Sequence, residues 1–300
     1  MQEILVIGSS NTDMVMSVDE IPVPGQTVIG GNFRVFGGGK GANQAIAARR
    51  AGGRVKFLFS VGNDPFGEAA LRSMRREDID ITHALVLDGA PSGVALIFVD
   101  ARGENCIGVA PGANARLSPG YLEQHAAIFA NAAFLLLQLE IPIAAVSCAA
   151  GLARAHAVPV ILNPAPAAPI PDDVLRGLFC MTPNESEAEQ LSGLRVTDTR
   201  SAEQAADVLL GRGVQNVIIT MGGNGALLKG AAGLHHEPAP AVEVVDTTAA
   251  GDTFNGVLAA TLAEGLGLHD AMRVAVRAAS LSVTRRGATD SIPRREDYRT

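Results

Sequence analysis

Cysteine is scarce in this 300-residue sequence: Cys106, Cys148 and Cys180 stand far apart, with no C-x-x-C pair. That excludes a disulfide framework and fits a reducing cytosol. No apolar run approaches the roughly 18 residues of a membrane span. The apolar start at residues 4–8 is too short for a signal peptide and predicts a first strand. A cytoplasmic protein with no membrane partner is expected. Positive charge is also in short supply, with 24 Lys and Arg against 31 Asp and Glu and a net charge of −7. A nucleic-acid partner would want a basic patch, so none is expected, although a local site can still hold an anion against the global sign. The six histidines lack metal-ligand spacing, and no Ser-His-Asp or H-E-x-x-H pattern appears. His235 and His236 read as a solvated loop. Internal repeats and low-complexity tracts are absent; residues 165–171 are merely Pro-rich.

What is present is apolar. Hydrophobic residues make up 47% and charged residues 18%, the balance of a globular chain with a large core. Length divided by 150 suggests two domains, but one α/β domain reaches this size, and a single domain over residues 1–300 is expected. Residues 4–8, 55–61, 133–139, 158–162 and 216–220 are short continuous apolar runs, suited to strands buried on both faces of a parallel sheet. Helix patterns alternate with them. Residues 42–51 end at Gly52-Gly53, a C-cap signal, and Ser118-Pro119 supplies an N-cap followed by Pro at the first helical position. Residues 185–191, 251–263 and 270–283 form further helices. The order predicts an α/β fold with a doubly wound, mostly parallel sheet flanked by helices, whose ligands bind at the carboxyl ends of the strands.

Two stretches break the rhythm. Residues 14–36 are rich in β-formers around Pro22, Pro24 and Gly25, and residues 94–99 and 105–109 flank a hairpin turn at Ala101-Arg102-Gly103. Both read as a small β-sheet lid, about residues 14–36 and 94–110, that excludes water from a reactive phosphoryl group. An ordinary surface hairpin has the same periodicity.

Chemistry is densest at residues 244–256. An apolar strand enters the small-residue turn Thr247-Thr248-Ala249-Ala250-Gly251, and a helix leaves it through Asp252. Backbone N–H groups of Ala249, Ala250 and Gly251 at a helix N-terminus make an anion site. Asp252 can take a proton from an attacking hydroxyl beside it; on its own, an Asp in a first helical turn is common. The segment Gly37-Gly38-Gly39-Lys40-Gly41-Ala42-Asn43-Gln44 opens another helix. It fails the P-loop pattern, because Gly41 follows Lys40, and it fails G-x-G-x-x-G. Its glycines permit close approach to a ligand, and Asn43 can donate to and accept from a hydroxyl. Thr182–Glu187 runs from a strand end into a helix, where Glu187 and Glu189 could be simple dipole partners. Thr220–Ala226 is a glycine turn after a buried strand.

Together these segments resemble the ribokinase family of sugar kinases, the phosphofructokinase-B superfamily. Lys40–Asn43 and Asp246–Gly256 look like its two signature motifs. Asn11-Thr12-Asp13, Gln138-Leu139-Glu140, Asn163-Pro164-Ala165-Pro166-Ala167 and Asn184-Glu185 match in order across nearly the whole chain. The resemblance implies transfer of the γ-phosphoryl group of ATP to the 5-hydroxyl of D-ribose. It implies sugar contacts from Asn11, Thr12, Asp13, Gly39, Lys40, Gly41, Ala42, Asn43 and Glu140, with Asp252 as base and Ala249, Ala250 and Gly251 as anion hole. ATP would lie against Asn184, Thr220, Met221, Gly222, Gly223, Asn224, Gly225, Gly251, Asp252 and Val276; relatives often carry a polar residue or His where Val276 stands. Glu187 would lie near Mg²⁺ and its waters. Asp246, Thr248, Ser282, Arg285, Gly287 and Ser291 would hold a monovalent cation, K⁺, with Asp246 pairing locally with Arg285 or Arg286 as the alternative. The lid would also form a homodimer interface. Asp13 and Glu140 suit hydroxyls and would repel a sugar phosphate. The rival readings are a kinase of deoxyribose, a ketohexose or a nucleoside, and a non-catalytic sugar sensor, against which the presence of Asp252 speaks.

Overall fold

The structure is a computed structural model of the chain and describes residues 3–231 and 233–298. From the N-terminus the chain forms β1 (Glu3–Ile7), then crosses into a second sheet at β2 (Asn11–Ser17) and β3 (Phe33–Gly38). Helix α1 (Lys40–Arg50) returns it to the first sheet at β4 (Arg54–Leu58). Next come β5 (Ser60–Gly62), α2 (Pro65–Arg76) and β6 (Leu85–Leu87), then β7 (Gly93–Val99) and β8 (Asn105–Ala110) of the second sheet. The alternating part follows as α3 (Pro119–Gln124), β9 (Ala132–Leu137), α4 (Ile143–Ala155), β10 (Val160–Leu162), α5 (Asp172–Leu175) and β11 (Cys180–Met181). It continues as α6 (Glu185–Ser192), α7 (Thr199–Gly211) and β12 (Asn216–Thr220). The pair β13 (Ala226–Gly230) and β14 (Gly233–Glu237) precedes α8 (Ala250–Ala263), α9 (Leu268–Ser282) and α10 (Arg295–Tyr298).

The central sheet has eight strands in the order β14-β13-β12-β11-β10-β9-β1-β4. It is parallel from β12 to β4 and antiparallel only at β13 and β14. Period-2 alternation sends Leu5 and Ile7 of β1 to one face and Ile4 and Val6 to the other, all fully buried. Leu135, Leu137, Leu162 and Val217 join the first face, under residues of α4 and α7. Phe57, Leu136, Ile161 and Ile218 join the second, under α1, α8 and α9. Both faces are covered, which is why the strand sequences read as unbroken apolar runs.

The expected strand at 55–61 divides at Phe59: β4 stays in the central sheet, while β5 pairs with β6 in a two-stranded one. The two irregular stretches form a four-stranded sheet of order β3-β2-β7-β8. It begins at Asn11, earlier than the expected residue 14, and residues 18–32, which hold Pro22 and Pro24, form no strand. Proline donates nothing to a ladder, so this span connects rather than pairs. The hairpin at 101–103 is real: Asp100 Oδ1 accepts from the N–H of Arg102 (2.8 Å) and of Glu104 (3.0 Å), and Gly103 takes φ 84°. Among the described residues no helix is long and apolar enough to cross a membrane.

Helices α1 and α8 cross unusually closely. Small residues Ala45, Ala47 and Ala48 of α1 are buried against the side of α8 that carries Gly256, Ala259 and Ala260. A Cβ on Gly256 would stand 2.5 Å from the Gln44 carbonyl oxygen and 2.6 Å from the Ala48 nitrogen, both backbone atoms that cannot swing aside. Replacing Gly256 by Ala therefore forces the helices apart, at a cost of about 1–3 kcal/mol typical of overpacking. Chemical denaturation of Gly256→Ala is expected to show a lowered unfolding midpoint; an unchanged midpoint would mean that the crossing is looser than described.

Candidate active site

The carboxyl ends of β1, β9, β10, β11 and β12 and the N-termini of α1 and α8 converge on one cleft. Gly39 caps α1 at φ 89°, a conformation that favours glycine. A Cβ on Gly41 would come within 2.6 Å of the Ser9 nitrogen, so the turn after β1 and the start of α1 touch backbone to backbone. Glu140, beyond β9, closes this end. Its Oε2 accepts from the Lys40 backbone N–H (3.0 Å) and from the Ser9 hydroxyl, while the Ser9 Oγ accepts from the Gly41 N–H (3.3 Å). Asp13 packs over Gly38, where a Cβ would meet Asp13 Oδ2 at 2.1 Å. Asn11 is buried, and its Oδ1 accepts from Asn114 Nδ2 (2.7 Å), which leaves the Asn11 amide nitrogen as the group to offer.

Electrostatics here are dominated by carboxylates around one ammonium. Burial, then repulsion from Glu140 and Asp252, pushes the Asp13 carboxyl up to about 6, with Lys40 opposing. Burial disfavours charge on Lys40, yet Asp252, Glu140, Glu187 and Asp13 outweigh it and hold the Lys40 pKa above its ordinary value.

Ala249, a non-glycine residue in the left-handed region (φ 60°), is the N-cap of α8. The tight turn closes on itself, with the Ala250 N–H donating to the Thr247 carbonyl (3.2 Å). Gly251 is the small residue whose N–H remains at the mouth of the helix. Asp252, in the first turn, is buried, and both carboxylate oxygens are addressed: Asn43 Nδ2 donates to Oδ2 (2.9 Å) and Gln44 Nε2 to Oδ1 (3.0 Å). A cavity of about 170 Å³ opens here, lined by Lys40, Asn184, Glu187, Gly251 and Asp252 among others.

It adjoins a cleft of about 820 Å³ whose walls include Thr220, Gly222, Gly223, Gly225 and Val276. In the same turn Met221, just past β12, buries its side chain in the apolar core, and the Asn224 carbonyl accepts from His236 Nε2 (2.7 Å). His235 and His236 thus belong to strand β14 and not to a loop, with His236 exposed and bonded to the glycine turn. Asn184 caps α6: its Oδ1 accepts from the Glu187 N–H (2.8 Å), and Glu187 Oε2 accepts from the Asn184 N–H (2.9 Å), a capping box. Glu187 therefore does the dipole job and also lines the cavity. Burial, helped by Asp252, raises its pKa against the Asn184 bond and Lys40. Glu189 accepts from the Val196 N–H (3.0 Å), a structural role.

The two segments of the expected cation site do meet. Asp246 Oδ1 accepts from Thr248 N–H (2.9 Å) and Oγ1 (2.6 Å), and Oδ2 accepts from the Gly287 N–H (2.9 Å). The Asp246 N–H reaches the Val283 carbonyl (3.1 Å). Arg285 pairs with Asp297 and not with Asp246. The hydroxyls of Ser282 and Ser291 donate to the carbonyls of Ala279 (2.8 Å) and Ala288 (2.9 Å).

Sequence reasoning assigned no role to Ser9, Gln44, Asn114, Gln138 or Asn163, although Gln44, Gln138 and Asn163 stood inside quoted motifs. Their signal was available: Ser9, Gln138 and Asn163 are polar residues just past buried strands, and Gln44 is a polar residue on the buried face of α1, where a long-range partner must satisfy it.

The comparisons agree with this geometry. The model of the pfkB family carbohydrate kinases matches residues 1–295. The ribokinase of Haemophilus influenzae is 41% identical over 292 residues, 97% of this chain and 95% of that protein. The deoxyribokinase of Salmonella typhi is 36% identical over 298 residues, 99% of this chain and 97% of that one. The structure of Arabidopsis thaliana ribokinase complexed with ribose and ATP superposes with a TM-score of 0.93 at 30% identity, covering 99% of this chain and 97% of that one. With its anion turn, buried carboxylate and flanking cleft in this setting, the chain belongs to the pfkB family of carbohydrate kinases.

Proposed function

We propose that this protein phosphorylates the 5-hydroxyl of D-ribose with ATP. The observation that carries the reading is the position of Asp252: buried, beside the N–H of Gly251 at the α8 N-terminus, between the Asn11–Asp13–Glu140 pocket and the 820 Å³ cleft. Ribose sits in the pocket with hydroxyls donating to Asp13 and Glu140 and accepting from the Asn11 and Asn43 amides. ATP occupies the larger cleft with its γ-phosphate at the α8 N-terminus, where the dipole and the Gly251 N–H favour negative charge. The 5-hydroxyl oxygen attacks the γ-phosphorus, its proton passes to Asp252, and the bond to the β-phosphate oxygen breaks to release ADP. Lys40 supplies the one ammonium near the transferring group. Glu187, a carboxylate lining the cavity, would hold Mg²⁺ there, and the ion would supply neutralisation of phosphate charge. The second sheet covers the sugar as a lid.

The first test pairs a variant with a substrate panel. Asp252→Asn is expected to lower kcat by about 10²–10⁴-fold while calorimetry still detects binding of ribose and ATP. Wild type is expected to prefer ribose over 2-deoxyribose, fructose and adenosine in kcat/KM, because polar groups left unpaired by a missing hydroxyl are costly. An Asn variant with full kcat removes Asp252 from the mechanism. A preference for 2-deoxyribose instead assigns the chain to the second reading, a deoxyribose kinase, which the 36% identity to the Salmonella typhi protein supports.

A monovalent cation, K⁺, fits the all-oxygen set at Asp246 and the backbone around Ser282, Gly287 and Ser291. Bound there, it would steady the 246–249 turn that presents the anion site. Exchanging KCl for a bulky tetraalkylammonium chloride at fixed ionic strength is expected to lower the initial rate. An unchanged rate, with Asp246→Ala fully active in both salts, would make Asp246 a purely structural clasp.

The lid supports a homodimer. Register places Phe33, Val35, Met14, Met16, Leu96 and Phe98 on one face, opposite the face that holds Asp13. On that outer face Phe33 is 62%, Val35 51% and Leu96 54% exposed, an apolar surface that a second copy of the chain would cover. Sedimentation is expected to give a dimer for wild type and a monomer for Leu96→Glu. A monomeric wild type would overturn the interface.

A further inference from the structure

The Asp252 carboxylate is not simply set at a helix end; it is held from below by a directed chain of amides. Gln44 is fully buried, and its Nε2 donates both to Asp252 Oδ1 (3.0 Å) and to Asn163 Oδ1 (3.0 Å). Its Oε1 accepts from Gln138 Nε2 (2.6 Å), and Gln138 is fully buried at the end of β9. Gly8, at the end of β1, leaves the room: a Cβ there would stand 2.0 Å from Gln138 Oε1. On the other side, Asn163 Nδ2 donates to the Thr182 carbonyl (3.1 Å), which commits Asn163 Oδ1 to accepting from Gln44.

An amide has two unlike ends, and these contacts permit one setting of Gln44. With the amide reversed, its oxygen would face the Asp252 carboxylate, acceptor against acceptor. Its nitrogen would face the Gln138 nitrogen, donor against donor. Buried groups mispaired in this way lose their hydrogen bonds without water to replace them. The correct setting fills one lone pair of Oδ1, as Asn43 does for Oδ2, and so fixes the plane of the carboxylate and the lone pairs left for a hydroxyl proton.

We propose that Gln44 and Gln138 are positioning residues for phosphoryl transfer: neither meets the sugar, and both set kcat by fixing the orientation of Asp252. The proposal rests on Asp252 acting as the base. The alternative is that the pair is core packing, in which case its loss lowers stability and leaves turnover per folded molecule intact.

The experiment uses the full chain and similar-sized apolar replacements. Gln44→Met and Gln138→Met are assayed at saturating ribose and ATP, with circular dichroism to count folded protein. Misorientation of a reacting group costs up to about 10²-fold, so each variant is expected to lose roughly 10- to 100-fold in kcat, with both KM values within about twofold of wild type. Because Gln138 acts only through Gln44, the double variant is expected to lose no more than Gln44→Met alone. Wild-type kcat in folded Gln44→Met, a loss carried by KM, or losses that multiply in the double variant would each overturn the proposal. Should Gln138→Met not fold, Gln138→Leu removes the same donor and is read the same way. Asp252→Asn separates the two ideas: if it keeps full kcat, the base assignment fails, whereas if it is inactive while Gln44→Met is not, only the positioning proposal fails.

Discussion

Where α1 crosses α8, the backbone of Gln44 and Ala48 leaves no room for a side chain at residue 256. That contact places the N-termini of two helices side by side over the carboxyl ends of the strands. One helix begins in the glycine turn at Gly39, the other in the left-handed turn at Ala249. Asn43 and Gln44 can then bond a carboxylate more than two hundred residues away in sequence. Each motif by itself is half of the cluster: α1 brings amides and a lysine, α8 brings an acid behind a left-handed turn. Small residues on the shared face hold them in register.

Much of the architecture was legible because burial on both faces writes a continuous apolar run, which residues 4–8 and 216–220 display plainly. The motifs were legible for a related reason, since Gly39–Gly41 and Ala249–Gly251 are small where backbone must meet backbone or ligand. Other features left weaker marks. The break at Phe59 is invisible to hydropathy, because Phe57, Leu58, Phe59 and Val61 are all buried on both sides of it and the two strands differ in which strand pairs with them. The turn of Ala250 toward Thr247 depends on one dihedral angle at Ala249, and composition carries no trace of it. Gln44, Gln138 and Asn163 stand in the motifs, yet their roles arise only when the first turns of α1 and the ends of β9 and β10, distant in sequence, are brought together. Buried polar residues at such places announce that they need partners, not which partners they find.

The second sheet shows how period-2 geometry divides labour within a few residues. Asp13 and Met14 are neighbours in β2, one turned to the pocket and the other to the outer apolar face. A slip of one residue in that ladder would exchange them, removing an acceptor from the site and burying a methionine in its place. The Asn11–Asn114 bond anchors the start of β2 against such a slip, and the Asp100 turn fixes β7 against β8.

The raised pKa of Asp13 carries a thermodynamic consequence for the fold itself. In the unfolded chain this carboxyl titrates near 3.8, and in the folded protein burial and the neighbouring carboxylates push it up to about 6. Between those values the native state holds a proton that the unfolded state has released, so the group's contribution to stability is complete below the lower value and is lost as pH climbs through the upper one. At neutral pH the ionised Asp13 is therefore in tension with the fold that buries it. Asp13, Glu140, Glu187 and Asp252 crowd the Lys40 ammonium, and that one cation holds carboxylates brought from four separate parts of the chain. The same crowding that gathers these acids at one place sets an alkaline limit on how much Asp13 adds to the stability of the whole.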